Sequence, residues 1–187
     1  MTTLLKAAVF SLMILSTALA TGLINTNHAQ AQNIALSHEQ ALASLQPGLD
    51  QDAAQTVLNW WSALFAQNSR ELTRLSGNPI ILNGQPMTRD TVMQQFQSAN
   101  AVISEQGDWP IALLAIDVRP AVDPVTGTTD YKIDNKLQLQ VTPDDRVVGL
   151  TMVEKNPDGS TRGMATVIHH YAQHLHTSQF RIVGLGD

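Results

Sequence analysis

The sequence predicts an α+β domain in which N-terminal helices pack on an antiparallel β-sheet. Three observations carry this. Ala54, Val57, Leu58, Trp61, Leu64 and Phe65 recur at the spacing of one broad helical face. From Trp109 onward the period changes from helical to alternating. It is clearest where Tyr131, Ile133, Leu137, Leu139 and Val141 share one face against Lys132, Asp134, Lys136, Gln138 and Gln140. Turn signals at Asp123-Pro124, Pro143-Asp144-Asp145 and Asn156-Pro157-Asp158-Gly159 divide this second half into short ribbons.

The chain is headed by the pattern of a removable export signal. Lys6 stands alone before the apolar run Ala7 to Ala20, and no acidic residue precedes Glu39. The run is short of the about 20 apolar residues that a bilayer span needs. Small-x-small cleavage patterns occur at Ala18-Leu19-Ala20 and Ala29-Gln30-Ala31. The later one is preferred, because Thr21 to Gln30 has the polar character of an extended signal end. Residues 1–31 are thus read as removed, 32–49 as a helical lead-in and 50–187 as one domain with a variable segment from about 169. The expected location is periplasmic or secreted.

The formal charge of −5 comes from 16 acidic and 11 basic residues without long like-charge runs. No Lys/Arg stripe matches a phosphate backbone, so nucleic acid is not an expected partner, and the same balance argues against an anionic membrane surface. With no cysteine there is no disulfide framework, thiolate nucleophile or iron–sulfur site. After the signal no membrane span is expected, and no cofactor.

Element by element, Ser37-His38-Glu39-Gln40 has the form of a capping box before Ala41, Leu42 and Leu45, and Pro47-Gly48 stops that helix. Asp50 or Asp52 is expected to cap the strong second helix. Asn68 with Glu71 caps a short third, which Gly77 ends. Pro79 to Leu82 before Asn83-Gly84 predicts a tight hairpin. Thr88 and Asp90 open a further helix carrying Val92, Met93, Phe96 and Ala99 inward. The ribbons that follow are Ile111 to Val118, Tyr131 to Val141, Val147 to Lys155 and Ser160 to Ile168, expected to form a meander. The tail fits two periods. As helix, Met164, Ile168, Tyr171 and Leu175 share a face; as strand, the pairing begun at Ser160 continues. A switch to helix or coil is expected near His169, with a last short strand at Phe180 to Val183.

This order of elements resembles the nuclear transport factor 2-like superfamily, also called cystatin-like. The local matches are Trp60-Trp61-x-Ala63-Leu64, Asn68-x-x-x-Leu72-x-x-Leu75, and Asn83-Gly84 followed by Thr88-Arg89-Asp90. The family's frequent Gly-Asp after the first helix is replaced by Asn68-Ser69, and the His-rich tail extends beyond the usual meander. The resemblance implies a curved sheet wrapping a helix around a conical cavity. Members use that cavity for isomerisation or cyclisation, or to bind ligands, and many dimerise. Fold alone does not choose among these.

Trp61 lies on the apolar face and reads as core. Trp60 lies off its centre and fits a cavity mouth, a contact to the C-terminal segment or a dimer contact. Tyr131 and Asn135 interrupt an otherwise apolar face, where a phenol or amide can hold a ligand carbonyl, with Leu137 beside them. Together Trp60, Trp61, Tyr131, Asn135 and Leu137 form the expected ligand set. Asp117 and Arg119 read as the point where a strand emerges into solvent. On a helix, His170 and His174 would stand one turn apart at two-imidazole metal spacing; lacking a third ligand, no metal is assigned. No residue matches the carboxylate base of the ketosteroid isomerases of this fold.

The reading is a non-catalytic exported domain that binds a small apolar ligand or a protein partner through its cone or sheet face, with a homodimer through the sheet as one form. One alternative is an isomerase, cyclase or dehydratase using the same cavity. A second is a metal-binding protein built on the C-terminal histidines.

Overall fold

The computed structural model describes residues 35–100, 111–129, 141–156, 158–175 and 179–186, with only the backbone for 96–100. The signal segment and residues 131–140 of the expected second ribbon fall outside these, as do Trp109 and His176. The described elements are α1 (His38–Ala43), α2 (Leu49–Phe65), α3 (Ser69–Leu75), β1 (Ser76–Leu82), β2 (Gln85–Met87), α4 (Arg89–Asn100), β3 (Ile111–Pro120), β4 (Arg146–Lys155), β5 (Thr161–Leu175) and β6 (Gln179–Gly186). Helices lie against a six-stranded mixed sheet of order β2-β1-β6-β5-β4-β3, an α+β architecture.

Local chemistry accounts for most element ends. Both bonds of the Ser37–Gln40 capping box are made, at 3.1 and 2.9 Å. Asn68 accepts the Glu71 amide at the start of α3, and Thr88 accepts the Thr91 amide before α4. Asn83 and Gly84 both adopt positive φ and join β1 to β2, as a two-residue hairpin turn requires. The cap of α2 differs from expectation. Gly48, at φ 109°, is its N-cap, while Asp50 and Asp52 occupy the first turn, where their charge favours the helix dipole. Asp50 also accepts a 2.6 Å hydrogen bond from Arg146, tying the start of α2 to the start of β4.

The sheet departs from the expected meander in three ways. First, β1 pairs with β6 in parallel, so the sheet is mixed rather than antiparallel. Its partner lies about a hundred residues downstream, and no local pattern encodes that direction. Second, both edges of β4 are taken, by β3 and β5, so the described meander runs β3-β4-β5-β6, whereas the expectation placed the Tyr131–Val141 ribbon, which lies outside the described residues, before β4. Third, β5 does not turn into helix or coil near His169. It continues to Leu175, because His169 to Ala172 are paired on both sides, with β4 and with β6, and Gln173 to Leu175 remain paired with β6. Two ladders of backbone hydrogen bonds outweigh a helical period that a strand also tolerates.

Register shifts interrupt four of the five strand pairs, and such bulges bend strands and increase twist. α2 lies across β3, β4, β5 and β6. Its buried side is Ala53, Ala54, Val57, Leu58, Trp60, Trp61, Ala63, Leu64 and Phe65. Against it stand Val148, Leu150, Ile168, His170 and Leu185, which neighbouring strands hold in register and on one face. A second, smaller apolar cluster forms on the opposite face from Ala121, Val147, Tyr171 and Val183, with Val141 packed against it.

Gly77 permits the close approach of β1 to β6, since a Cβ there would sit 2.7 Å from Cγ1 of the buried Val183. Gly77→Ala is expected to destabilise the fold by about 1–3 kcal/mol, the usual range for overpacking, read as a lowered urea midpoint at unchanged slope.

Candidate functional site

Trp60 and Trp61 follow each other on α2 and both are buried. Their rings meet edge to face, with centroids 5.4 Å apart. Each spends its indole N–H inside the protein. Trp60 donates to the hydroxyl of Ser76, at 2.9 Å, where α3 passes into β1. Trp61 donates to Nε2 of His170 in the middle of β5, at 2.8 Å. Trp61 thus meets the C-terminal segment directly. Trp60 is fully buried. Tyr131, Asn135 and Leu137, the rest of the expected ligand set, lie outside the described residues.

His170 is the chemically informative member. An indole N–H can only donate, so Nε2 of His170 must offer its lone pair. The ring proton then lies on Nδ1, which donates to the carbonyl of Val148 at 3.1 Å. Both nitrogens are spoken for, and neither can take another proton without losing the Trp61 bond. Burial, the largest influence, pushes the imidazole down to about 4 from its ordinary 6.5; the Val148 carbonyl opposes this, and neighbouring His169 adds to it.

On the opposite face, one residue later, lies a second buried polar centre. Asp145 is fully buried and accepts three hydrogen bonds: from the Tyr171 hydroxyl at 2.9 Å, the Thr142 amide at 2.8 Å and the His174 amide at 2.7 Å. Its own carbonyl accepts the Ala121 amide. Burial, with the adjacent Asp145 carboxylate, raises the Tyr171 phenol well above its ordinary value, so it stays a donor. A carboxylate beside a phenol resembles an acid–base pair, but three committed donors make Asp145 a clasp on its own turn. The sequence signalled it only as a turn residue.

The remaining candidates resolve simply. Asp117 and Arg119 are exposed on β3 and within 3.4 Å of each other. The helical spacing that would have let His170 and His174 grip one metal ion is gone. On a strand, four residues span about 13 Å. The His174 ring instead packs against Phe180, with centroids 5.0 Å apart, and its Nδ1 is 3.9 Å from Asp144. Among the described residues no three His, Cys, Asp or Glu side chains cluster as metal ligands, and no helix is long and apolar enough to cross a membrane.

No protein-family model matches the sequence, and neither does any curated protein. Among solved structures, the chain is similar to a candidate ketosteroid isomerase from Shewanella frigidimarina, at 10% identity and TM-score 0.48, over 74% of this chain and 96% of that one. It is also similar to the helical cell shape determining protein Pgp2 from Campylobacter jejuni, at 6% identity and TM-score 0.48, over 73% of this chain and 40% of that one. A candidate calcium/calmodulin-dependent protein kinase II association domain from Xanthomonas campestris matches at 10% identity and TM-score 0.43, over 73% and 84%. At such scores the likeness carries no argument about activity, and the architecture stands on its own strand pairings.

Two outcomes are expected from the buried polar centres. In the unfolded chain His170 takes up a proton below pH 6.5, while in the folded chain it resists until about pH 4. Stability from this group is therefore whole above pH 6.5 and lost as pH falls toward 4, by about 3 kcal/mol in total. Urea titrations at stepped pH measure it, and in His170→Gln that segment of the pH profile flattens. Asp145→Ala orphans three donors and is expected to cost at least about 3 kcal/mol. Tyr171→Phe, which leaves the carboxylate two donors, costs about 1 kcal/mol in the same assay.

Proposed function

We propose that this chain is an exported domain that binds rather than catalyses, docking a protein partner, a second copy of itself first among them, on the outer face of β3, β4 and β5. Support begins with the inner face. The side chains between α2 and the sheet are packed against each other, and the two tryptophans of the expected ligand set are buried there with their N–H groups used. That favours the partner-binding half of the reading over a ligand held between α2 and the sheet.

The observation that carries the proposal lies on the other side of the sheet. Ala115, Thr151 and Val167 form one cross-strand row of uncharged side chains, and Val167 is 40% exposed. Beside it Gly149 leaves a side-chain gap that the Asp117 carboxylate leans into, since a Cβ there would overlap it. A shallow uncharged row can be covered by the same row of a second copy about a twofold axis, while Asp117 and Arg119, paired with each other on one side of it, need not be desolvated. Export rests on the Lys6 and Ala7 to Ala20 pattern.

Sedimentation equilibrium tests the docking face. The mature chain is expected at twice its monomer mass at micromolar concentration, and Val167→Arg is expected to weaken association by at least ~30-fold, about 2 kcal/mol. A wild-type monomer that gains no partner from the same compartment, or a dimer indifferent to Val167→Arg, overturns the proposal.

A further inference from the structure

Few large apolar side chains are left uncovered among the described residues, and one of them carries reactive chemistry. Met164 is 87% exposed, whereas Met93 and Met152 are 8% and 5% exposed and Met87 is half-buried. The exposure has a structural cause. β5 pairs with β4 at Thr166 opposite Met152 and again at Arg162 opposite Glu154. Gly163, Met164 and Ala165 therefore stand together against the single residue Val153. Gly163 takes a positive φ of 81°, which such a bulge often uses. β6 covers the other edge of β5 only from His169 to Leu175, so among the described residues no strand flanks the bulge there. Residues 161–165 are all exposed, and the thioether stands in water outside both apolar clusters.

We propose that Met164 is a site of reversible oxidation, which takes one oxygen from a peroxide while the fold stays intact. The sulfur lone pair attacks one peroxide oxygen. An S–O bond forms as the O–O bond breaks, and the departing hydroxide takes the proton left on the transferred oxygen, giving water. The sulfur loses two electrons and the peroxide gains them. A sulfoxide reductase supplied with a dithiol reverses the change, releasing the oxygen as water and leaving a disulfide in the reductant. At Met93 or Met152 the same step would need the core to open and would then place a polar oxygen among apolar neighbours. At Met164 both the thioether and the sulfoxide are solvated, so no core contact is lost. The inference uses no residue of the sheet row and survives if the chain is monomeric.

Peptide mass mapping of the folded chain after timed exposure to dilute hydrogen peroxide tests it. Met164 is expected to gain oxygen at least ~tenfold faster than Met93 or Met152, with Met87 between them. In the chain unfolded by urea the four rates should converge, because burial alone separates them. Protein carrying one oxygen at Met164 should keep the urea midpoint of the untreated chain. The two stereospecific methionine sulfoxide reductases, with dithiothreitol as reductant, should then remove that oxygen. The inference is overturned if a buried methionine is oxidised as fast as Met164, or if the selectivity persists in urea. A midpoint lowered by the first oxygen, or a sulfoxide that the reductases leave in place, overturns it equally.

Discussion

The hydrogen bond from Trp61 to His170 ties together distant parts of the described fold. It joins the centre of α2 to the centre of β5 across the core, between residues 109 positions apart. Because the indole is obliged to donate, the imidazole is obliged to be neutral and to carry its proton on Nδ1. That proton then reaches the Val148 carbonyl of the adjacent strand. One bond thus sets a tautomer and ties a helix and two strands together. It does so where water is excluded and an unmade bond would cost most.

Tyr171 completes the constraint from the other side. Successive strand residues point to opposite faces, so His170 and Tyr171 anchor β5 to α2 on one face and to the Asp145 turn on the other. A slip of one residue would turn His170 to the outer face and drive the phenol into the helix. Apolar side chains alone would tolerate neighbouring registers better, since β-branched apolar residues occur on both faces of β5 (Val167, Ile168) and of β4 (Val147, Val148). The polar pair is what makes one register unique, and it suits a strand whose ladder is already interrupted by bulges on both sides.

The same contrast explains what the sequence disclosed and what it withheld. Caps and tight turns are local chemistry. Ser37 with Gln40, Asn68 with Glu71, and Asn83-Gly84 were readable, and the structure makes each of those contacts. The helical face of α2 was readable too, down to Trp61 as core. Pairing over long distances was not. The parallel partnership of β1 with β6 and the direct pairing of β3 with β4 join segments whose local patterns carry no direction. The tail was misread near His169 for a related reason. Met164, Ile168, Tyr171 and Leu175 satisfy a helical period, yet Ile168 and Tyr171 face opposite sides of a strand, and each side has its own apolar cluster. Asp145 was hidden because a buried carboxylate and a turn carboxylate look alike until their donors arrive from two other places in the chain.

What the interior settles bears on where the surface can act. Buried polar groups here are closed sets. Trp60 has Ser76, Trp61 has His170, and Asp145 has three donors, so none of these hydrogen-bonding groups is held ready for a ligand. On the proposed reading, recognition falls to surface that the fold has not used. The outer sheet row offers small uncharged area with charges only at its rim, which suits a flat partner. A flat face gains from area and from exclusion of water at its centre. A charge placed in the sheet row therefore weakens docking, because the covered face would have to desolvate it without a partner.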